Sequence, residues 1–115
     1  MLGDAELVLS SSLTLIECER VLIRAVAANL IPEVAAAERR AALARSADHW
    51  VVLELDAQVA ERARRPFPGE PIRTLDAIHL ATALLGRSLV PDLGLLSLDE
   101  RLRRSAAQLG FRLLA

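Results

Sequence analysis

The chain contains no lysine and no tyrosine, a single cysteine, and three aromatic side chains among 115 residues. Because Cys18 has no second cysteine to pair with, a disulfide framework and a thiolate zinc cluster are both excluded within the chain. No apolar run approaches the roughly 20 residues that a membrane-spanning helix needs. The absence of disulfides and of a signal peptide predicts a cytoplasmic protein. With a net charge of −1, the chain has no global positive field for nucleic acid, so any such contact has to be local.

The composition that remains is that of a folded domain. Hydrophobic residues make up 53% of the chain, which predicts one globular domain over residues 1–115 rather than a disordered segment. The scarcity of aromatics favours close packing of alanine-rich helices against aliphatic strands. All 14 basic side chains are arginine. This bias has two explanations, codon usage in a GC-rich genome and selection for bidentate phosphate contacts.

Strand and helix signals alternate along the chain. β-Branched and leucine-rich runs predict the strands, and capping residues with helical periodicity predict the helices. The predicted strands cover residues 6–10, 50–55, 93–96 and 111–114, and the predicted helices cover 14–29, 32–48, 56–65, 74–85 and 97–110. The clearest loop is the proline-rich segment 66–71. The order β-α-α-β-α-α-β-α-β predicts an α/β layered fold with a mainly parallel sheet.

Three acidic residues, Glu17, Asp76 and Asp99, each lie just inside a predicted helix start. Predicted strands precede the helices of Glu17 and Asp99. Because the carboxyl ends of parallel strands meet at one edge of a sheet, these carboxylates could gather there. Carboxylate oxygens are the ligands of hard divalent cations, so the pattern predicts a metal site.

Each acid also has a structural explanation. Thr14 and Glu17 have the spacing of a capping box, and a charge in a first turn complements the helix dipole. In the last helix Ser97 and Glu100 have the same spacing, which leaves Asp99 surplus to capping. Asp76 precedes a small, apolar helix face, where a carboxylate is costly unless a partner such as a metal ion neutralises it. The combination therefore favours a metal site over three separate caps.

These segments carry a family resemblance. Residues 13–17, 74–83 and 96–102, together with the final 106–111, resemble the motifs of PIN-domain proteins, and the nearest branch is the VapC toxins of toxin–antitoxin pairs. The resemblance implies a three-layer α/β/α fold and a Mg²⁺- or Mn²⁺-dependent ribonuclease that acts on RNA and is held inactive by an antitoxin. It also implies that Glu17, Asp76 and Asp99 are the catalytic metal ligands. Ser97 and Thr74 are then expected to line the site, and the protein is expected to be a homodimer without membrane contact.

The resemblance has one departure. Members of this family begin with a strand that ends in Asp-Ser/Thr-Ser/Ala, and its aspartate is a principal metal ligand. This chain has no such motif, and its strand at 6–10 matches the second strand of the family. Asp4 precedes that strand at the wrong end to replace the ligand. We therefore expect an N-terminally shortened member that lacks one β-α unit, binds a single ion weakly, and has low or absent activity.

Two other functions remain open from the sequence. A degenerate PIN-like module could bind an antitoxin or itself without catalysis, and the missing aspartate favours that alternative. An unrelated receiver- or flavodoxin-like α/β domain is the third possibility, although no glycine-rich phosphate loop follows any predicted strand. His79, three residues after Asp76, is either a packed histidine bonded to backbone or a group beside the site that carries a proton or aids RNA binding.

Overall fold

The computed structural model describes residues 8–97 and 99–114. Its strands are β1 (Leu9–Ser11), β2 (Val51–Leu53), β3 (Gly94–Leu96) and β4 (Arg112–Leu114). Its helices are α1 (Ser12–Ala27), α2 (Glu33–Ala47), α3 (Ala57–Ala63), α4 (Thr74–Leu89) and α5 (Glu100–Gln108). The predicted element order is confirmed. Asp4 and the first two residues of the strand predicted at 6–10 lie outside the described residues.

The strands pair in parallel, as the sequence predicts. β1 pairs with β2, with Leu9 opposite Val51, and β3 pairs with β4, with Gly94 opposite Arg112. Parallel neighbours need a crossover connection, which α1 and α2 supply for the first pair and α5 supplies for the second. In the part of the chain that the structure describes, none of the helices has both the length and the apolar character needed to cross a membrane.

The described residues fall into two compact units, residues 8–54 and residues 55–114. In the first unit α1 packs against α2, and β1 pairs with β2. Ala36 is completely buried there, and its small side chain permits close packing around α2. In the second unit α4 packs against both α3 and α5, and α5 also packs against β4.

The hydrophobic core of the second unit forms around α4. Leu80 is fully buried, and Ala77 and Ala81, four residues apart on the same helix, are at most 8% exposed. Small side chains on this face allow α3 and α5 to approach closely, which confirms the small, apolar face predicted after Asp76. The buried cluster consists of Val59, Phe67, Ala77, Leu80, Ala81, Leu102, Ala106 and Phe111.

The first helix starts earlier than predicted. Ser11, rather than Thr14, is the N-cap of α1, and its Oγ accepts a hydrogen bond of 3.1 Å from the backbone N–H of Leu13. β1 therefore leads directly into α1 without a separate turn. Glu17 consequently lies in the second turn, and the predicted capping box of Thr14 and Glu17 is wrong.

The fourth helix starts and ends differently from its prediction. Arg73 occupies the N-cap without a side-chain capping bond, and Thr74, predicted as the cap, is the first helical residue. The helix continues through Gly86, the predicted stop, to Leu89. Tertiary contacts hold this last turn. The Arg87 guanidinium donates a 2.8 Å hydrogen bond to the carbonyl of Leu109, and its central carbon lies 4.2 Å from the centre of the Phe111 ring. Packing thus outweighs the weak helix propensity of glycine.

One buried hydroxyl in α5 yields a stability prediction. Ser105 is 0% exposed, and its Oγ has no hydrogen-bond partner among the described residues. Burying an unpaired polar group costs free energy, so we expect Ser105→Ala to raise the free energy of unfolding by about 1 kcal/mol in a urea titration. Ser11→Ala is the matched control, because that buried hydroxyl caps α1. It is expected to lower stability by about 1 kcal/mol, and equal effects of the two variants would contradict the argument.

Candidate functional site

Asp99 is fixed by the helix that it begins. It is the N-cap of α5, and its Oδ1 accepts a 2.9 Å hydrogen bond from the backbone N–H of Leu102. The prediction that Ser97 caps this helix is wrong, as is the inference that Asp99 is surplus to capping. Ser97 acts one step earlier, where its Oγ accepts a 3.1 Å bond from the backbone N–H of Asp99. This chain of bonds sets the direction of the Asp99 side chain.

The cap leaves Asp99 suited to a cation. The residue is exposed, and one capping bond occupies only part of a carboxylate's acceptor capacity of about four lone-pair sites. Its negative charge is also stabilised at the N-terminus of a helix. A structural role and a ligand role are therefore compatible in the same side chain.

Asp76 lies in the first turn of α4, at its third residue, and is half-buried. The two elements that carry Asp76 and Asp99, α4 and α5, pack against each other. Thr74 is exposed at the first position of α4, and His79 is half-buried one turn after Asp76. The predicted site residues of the second unit are thus all at or near the N-terminal ends of two helices in contact.

Glu17 is the predicted site residue that belongs to the first unit. It is half-buried on α1, at the sixth position of the helix. Asp76 and Asp99 belong to the other unit. The prediction that all three acids form one site stays a prediction.

A divalent cation fits these residues in donor type. All three predicted ligands are carboxylates, which supply the oxygen donors that Mg²⁺ and Mn²⁺ prefer. In residues 8–97 and 99–114, however, no group of three or more His, Cys, Asp or Glu side chains is placed to hold a metal ion. The donor chemistry therefore fits the ion, and the described residues do not form a complete cage for it.

Two arginines position this region through contacts that the sequence did not predict. Arg103 donates from Nη1 to the carbonyls of Ser97 at 3.1 Å and Leu114 at 3.0 Å, which ties the segment before Asp99 to the end of β4. Arg101 donates a 3.2 Å hydrogen bond from Nη1 to the carbonyl of Pro71. The acceptors are backbone carbonyls, so no residue-type pattern in the sequence could have indicated either contact.

Comparison with known proteins agrees with the motif resemblance. A model of the PIN domain family matches residues 2–108. Ribonuclease VapC35 of Mycobacterium tuberculosis, in strains CDC 1551 / Oshkosh and H37Rv, is 36% identical over 107 residues, which cover 93% of this chain and 71% of that protein. Ribonuclease VapC46 of strain H37Rv is 43% identical over 72 residues, 62% of this chain and 52% of that protein. No solved structure matches the chain significantly.

The family match and the structure point in the same direction. The helix-rich α/β architecture with parallel strand pairing fits the α/β/α fold expected from the resemblance. The family model spans nearly the whole chain, including the segments that carry Glu17, Asp76 and Asp99. The chain belongs to the PIN-domain family and is similar to VapC ribonucleases.

Proposed function

We propose that this chain is a ribonuclease of the VapC type, that it depends on Mg²⁺ or Mn²⁺, and that Glu17, Asp76 and Asp99 carry its activity. The observation that supports this most strongly is the 36% identity to Ribonuclease VapC35 over 93% of the chain. The arrangement of Asp76 and Asp99 on two helices in contact agrees with it.

In this proposal the chain's own residues orient the RNA and the carboxylates. Asp99 keeps its direction through the bond to the Leu102 N–H, and Ser97 lines the approach to it. Asp76 presents negative charge at the start of α4, where the backbone N–H groups of the first turn stabilise it. Thr74, exposed at the first position of α4 two residues before Asp76, is available to contact the substrate.

The metal ion, when bound, would be held by Glu17, Asp76 and Asp99 and would lower the pKa of a bound water and offset charge on the phosphate. Whether cleavage needs this ion is tested directly by incubating the purified chain with RNA in Mg²⁺, in Mn²⁺ and in EDTA. We expect weak cleavage with either metal and none in EDTA, and the Asp76→Ala variant is expected to be inactive in both metals. Cleavage that survives Asp76→Ala would contradict the assignment of this site.

The shortage of carboxylates predicts weak metal binding. Three ligands support one loosely held ion, whereas tight all-protein sites use more oxygen donors. We expect a calorimetric titration with Mn²⁺ to give a dissociation constant well above the micromolar range. An isotherm with micromolar affinity that persists in the Asp99→Asn variant would show that the ion binds elsewhere.

A protein partner is part of the same proposal. We infer an antitoxin partner and a homodimer in the cytoplasm, and exposed apolar side chains on the first unit support binding to another protein. Exposed side chains on α1, on α2 and between them include Ile16 at 54%, Val21 at 53%, Leu30 at 77% and Val34 at 66%. Large exposed apolar patches often mark protein interaction sites.

A non-catalytic interaction module is the second candidate. The incomplete carboxylate group among the described residues favours it. The two functions separate in the metal assay, because the module is expected to bind its protein partner equally well in EDTA and to leave RNA intact in Mg²⁺ and in Mn²⁺.

A further inference from the structure

A basic groove runs along α5, and neither Asp76 nor Asp99 lines it. It has a volume of about 300 Å³ and is bounded on one side by the loop before α4 and on the other by α5. Its lining residues are Gly69, Glu70, Pro71, Arg101, Arg104 and Gln108. All six belong to the second unit, so the groove is formed within a single compact part of the chain.

The positive charge of the groove comes from α5. Arg101 and Arg104 are three residues apart, and Gln108 follows four residues later, so the three side chains lie on one helix face. All three residues are exposed. The ion pair that the structure shows in the described residues joins Arg40 and Glu33, so neither groove arginine forms an ion pair with a carboxylate there. A row of two guanidinium groups and an amide is therefore presented to solvent.

The one acid in the groove is engaged by its own loop. Glu70 accepts a 2.9 Å bond from the backbone N–H of Phe67 at Oε2 and a 2.6 Å bond from that of Ile72 at Oε1. Both carboxylate oxygens thus stabilise the loop, and Gly69 adopts a positive φ of 84° that the turn requires. Glu70 therefore lies in one wall of the groove. Its single negative charge is exceeded by the two positive charges of Arg101 and Arg104.

Arg101 is held in place while most of its donors remain available. Its Nη1 donates a 3.2 Å hydrogen bond to the carbonyl of Pro71, across the groove. A guanidinium carries five N–H donors in a planar fork that matches phosphate, and this contact uses one of them. Fixing the side chain in advance lowers the entropy cost of binding a ligand.

We propose that this groove binds phosphodiester groups of RNA. The inference rests on the proposed function for the identity of the ligand, and it adds a binding site for substrate phosphates that is separate from the carboxylates. Arg104 lies five residues beyond Asp99, about 7.5 Å along the axis of α5. A strand whose scissile phosphate lies at Asp99 therefore brings neighbouring phosphates within reach of the two arginines.

The test measures RNA binding without cleavage. A fluorescein-labelled single-stranded RNA is titrated with the full chain in EDTA, and anisotropy is recorded at several salt concentrations. We expect Arg104→Glu to weaken binding about tenfold and to reduce the slope of log K against log salt by about 1, as loss of one phosphate contact does. The side chain of Arg104 is exposed and makes no hydrogen bond or ion pair with another described residue, so the variant is expected to fold normally.

Arg64→Glu is the matched control. Arg64 is exposed at the end of α3, in the same unit but outside the groove, and the substitution changes net charge equally. It is expected to change RNA affinity by less than about twofold. Equal losses in the two variants would show a general charge effect and overturn the site. A labelled acidic peptide that loses binding in Arg104→Glu while RNA does not would also overturn it. If the variant loses RNA binding but the wild-type chain never cleaves RNA, the groove stands and the proposed nuclease function fails.

Discussion

Asp99→Asn is expected to lower metal-dependent RNA cleavage by at least about 100-fold, because loss of even an outer-shell partner of a metal ligand typically costs 10- to 100-fold. Stability is expected to change by only a few tenths of a kcal/mol, because asparagine caps helices about as well as aspartate. The variant therefore removes the charge that a cation needs and retains the capping bond to Leu102. Initial cleavage rates in Mg²⁺ and urea titrations measure the two effects separately.

Asp56 supplies the matched control for that experiment. It caps α3 with the same geometry, since its Oδ1 accepts a 2.9 Å bond from the backbone N–H of Val59. Asp56→Ala is expected to cost about 1 kcal/mol of stability and to leave the cleavage rate per folded molecule unchanged. If Asp99→Asn cleaves RNA at the wild-type rate, Asp99 is a helix cap alone and the proposed site is wrong.

Leu80→Ala is expected to lower the free energy of unfolding by about 3 kcal/mol, within the range measured for buried leucines. Leu80 is 0% exposed at the centre of the α4 core, so truncation leaves a cavity among side chains that cannot all move to fill it. A loss of this size is a large fraction of the total stability of a domain. Urea titration followed by circular dichroism measures it.

Leu89→Ala makes the same substitution on the same helix at an exposed position. Leu89 is 67% exposed at the end of α4, and alanine has slightly better helix propensity than leucine. Its effect is expected to stay within about 0.5 kcal/mol. Similar losses for the two leucines would mean that the core of this unit is not organised around Leu80.

The order of helices and strands could be predicted from the sequence because these elements have strong local signals. Asp56 follows a β-branched strand and precedes a helical pattern, and its predicted cap is confirmed by the bond to Val59. The small face after Asp76 predicted a buried helix, and α4 is that helix. The predicted C-terminal end of α4 was wrong because glycine is a local stop signal. In the structure Arg87 holds the last turn through a hydrogen bond to Leu109, 22 positions away in the sequence.

The candidate site could be predicted only in part from the sequence. The positions of Asp76 and Asp99 near helix starts followed from spacing, but the roles of neighbouring residues did not. Ser97 and Asp99 are both good capping residues two positions apart, so propensity alone could not decide which one begins α5. The contacts of Arg103 with two backbone carbonyls depend on the three-dimensional arrangement of β3, β4 and α5. Metal binding and catalysis at the three acids remain predictions that the experiments above test.

The capping bond of Asp99 couples the stability of the first turn of α5 to ion binding. Because the helix fixes this side chain during folding, its rotational entropy is already lost when a cation arrives, and the ion meets a preorganised ligand. Thermodynamic linkage makes the effect reciprocal, so an ion bound at Asp99 would also lower the population of α5 whose first turn is frayed. Amide hydrogen exchange at Leu102 then serves as a local reporter of ion binding.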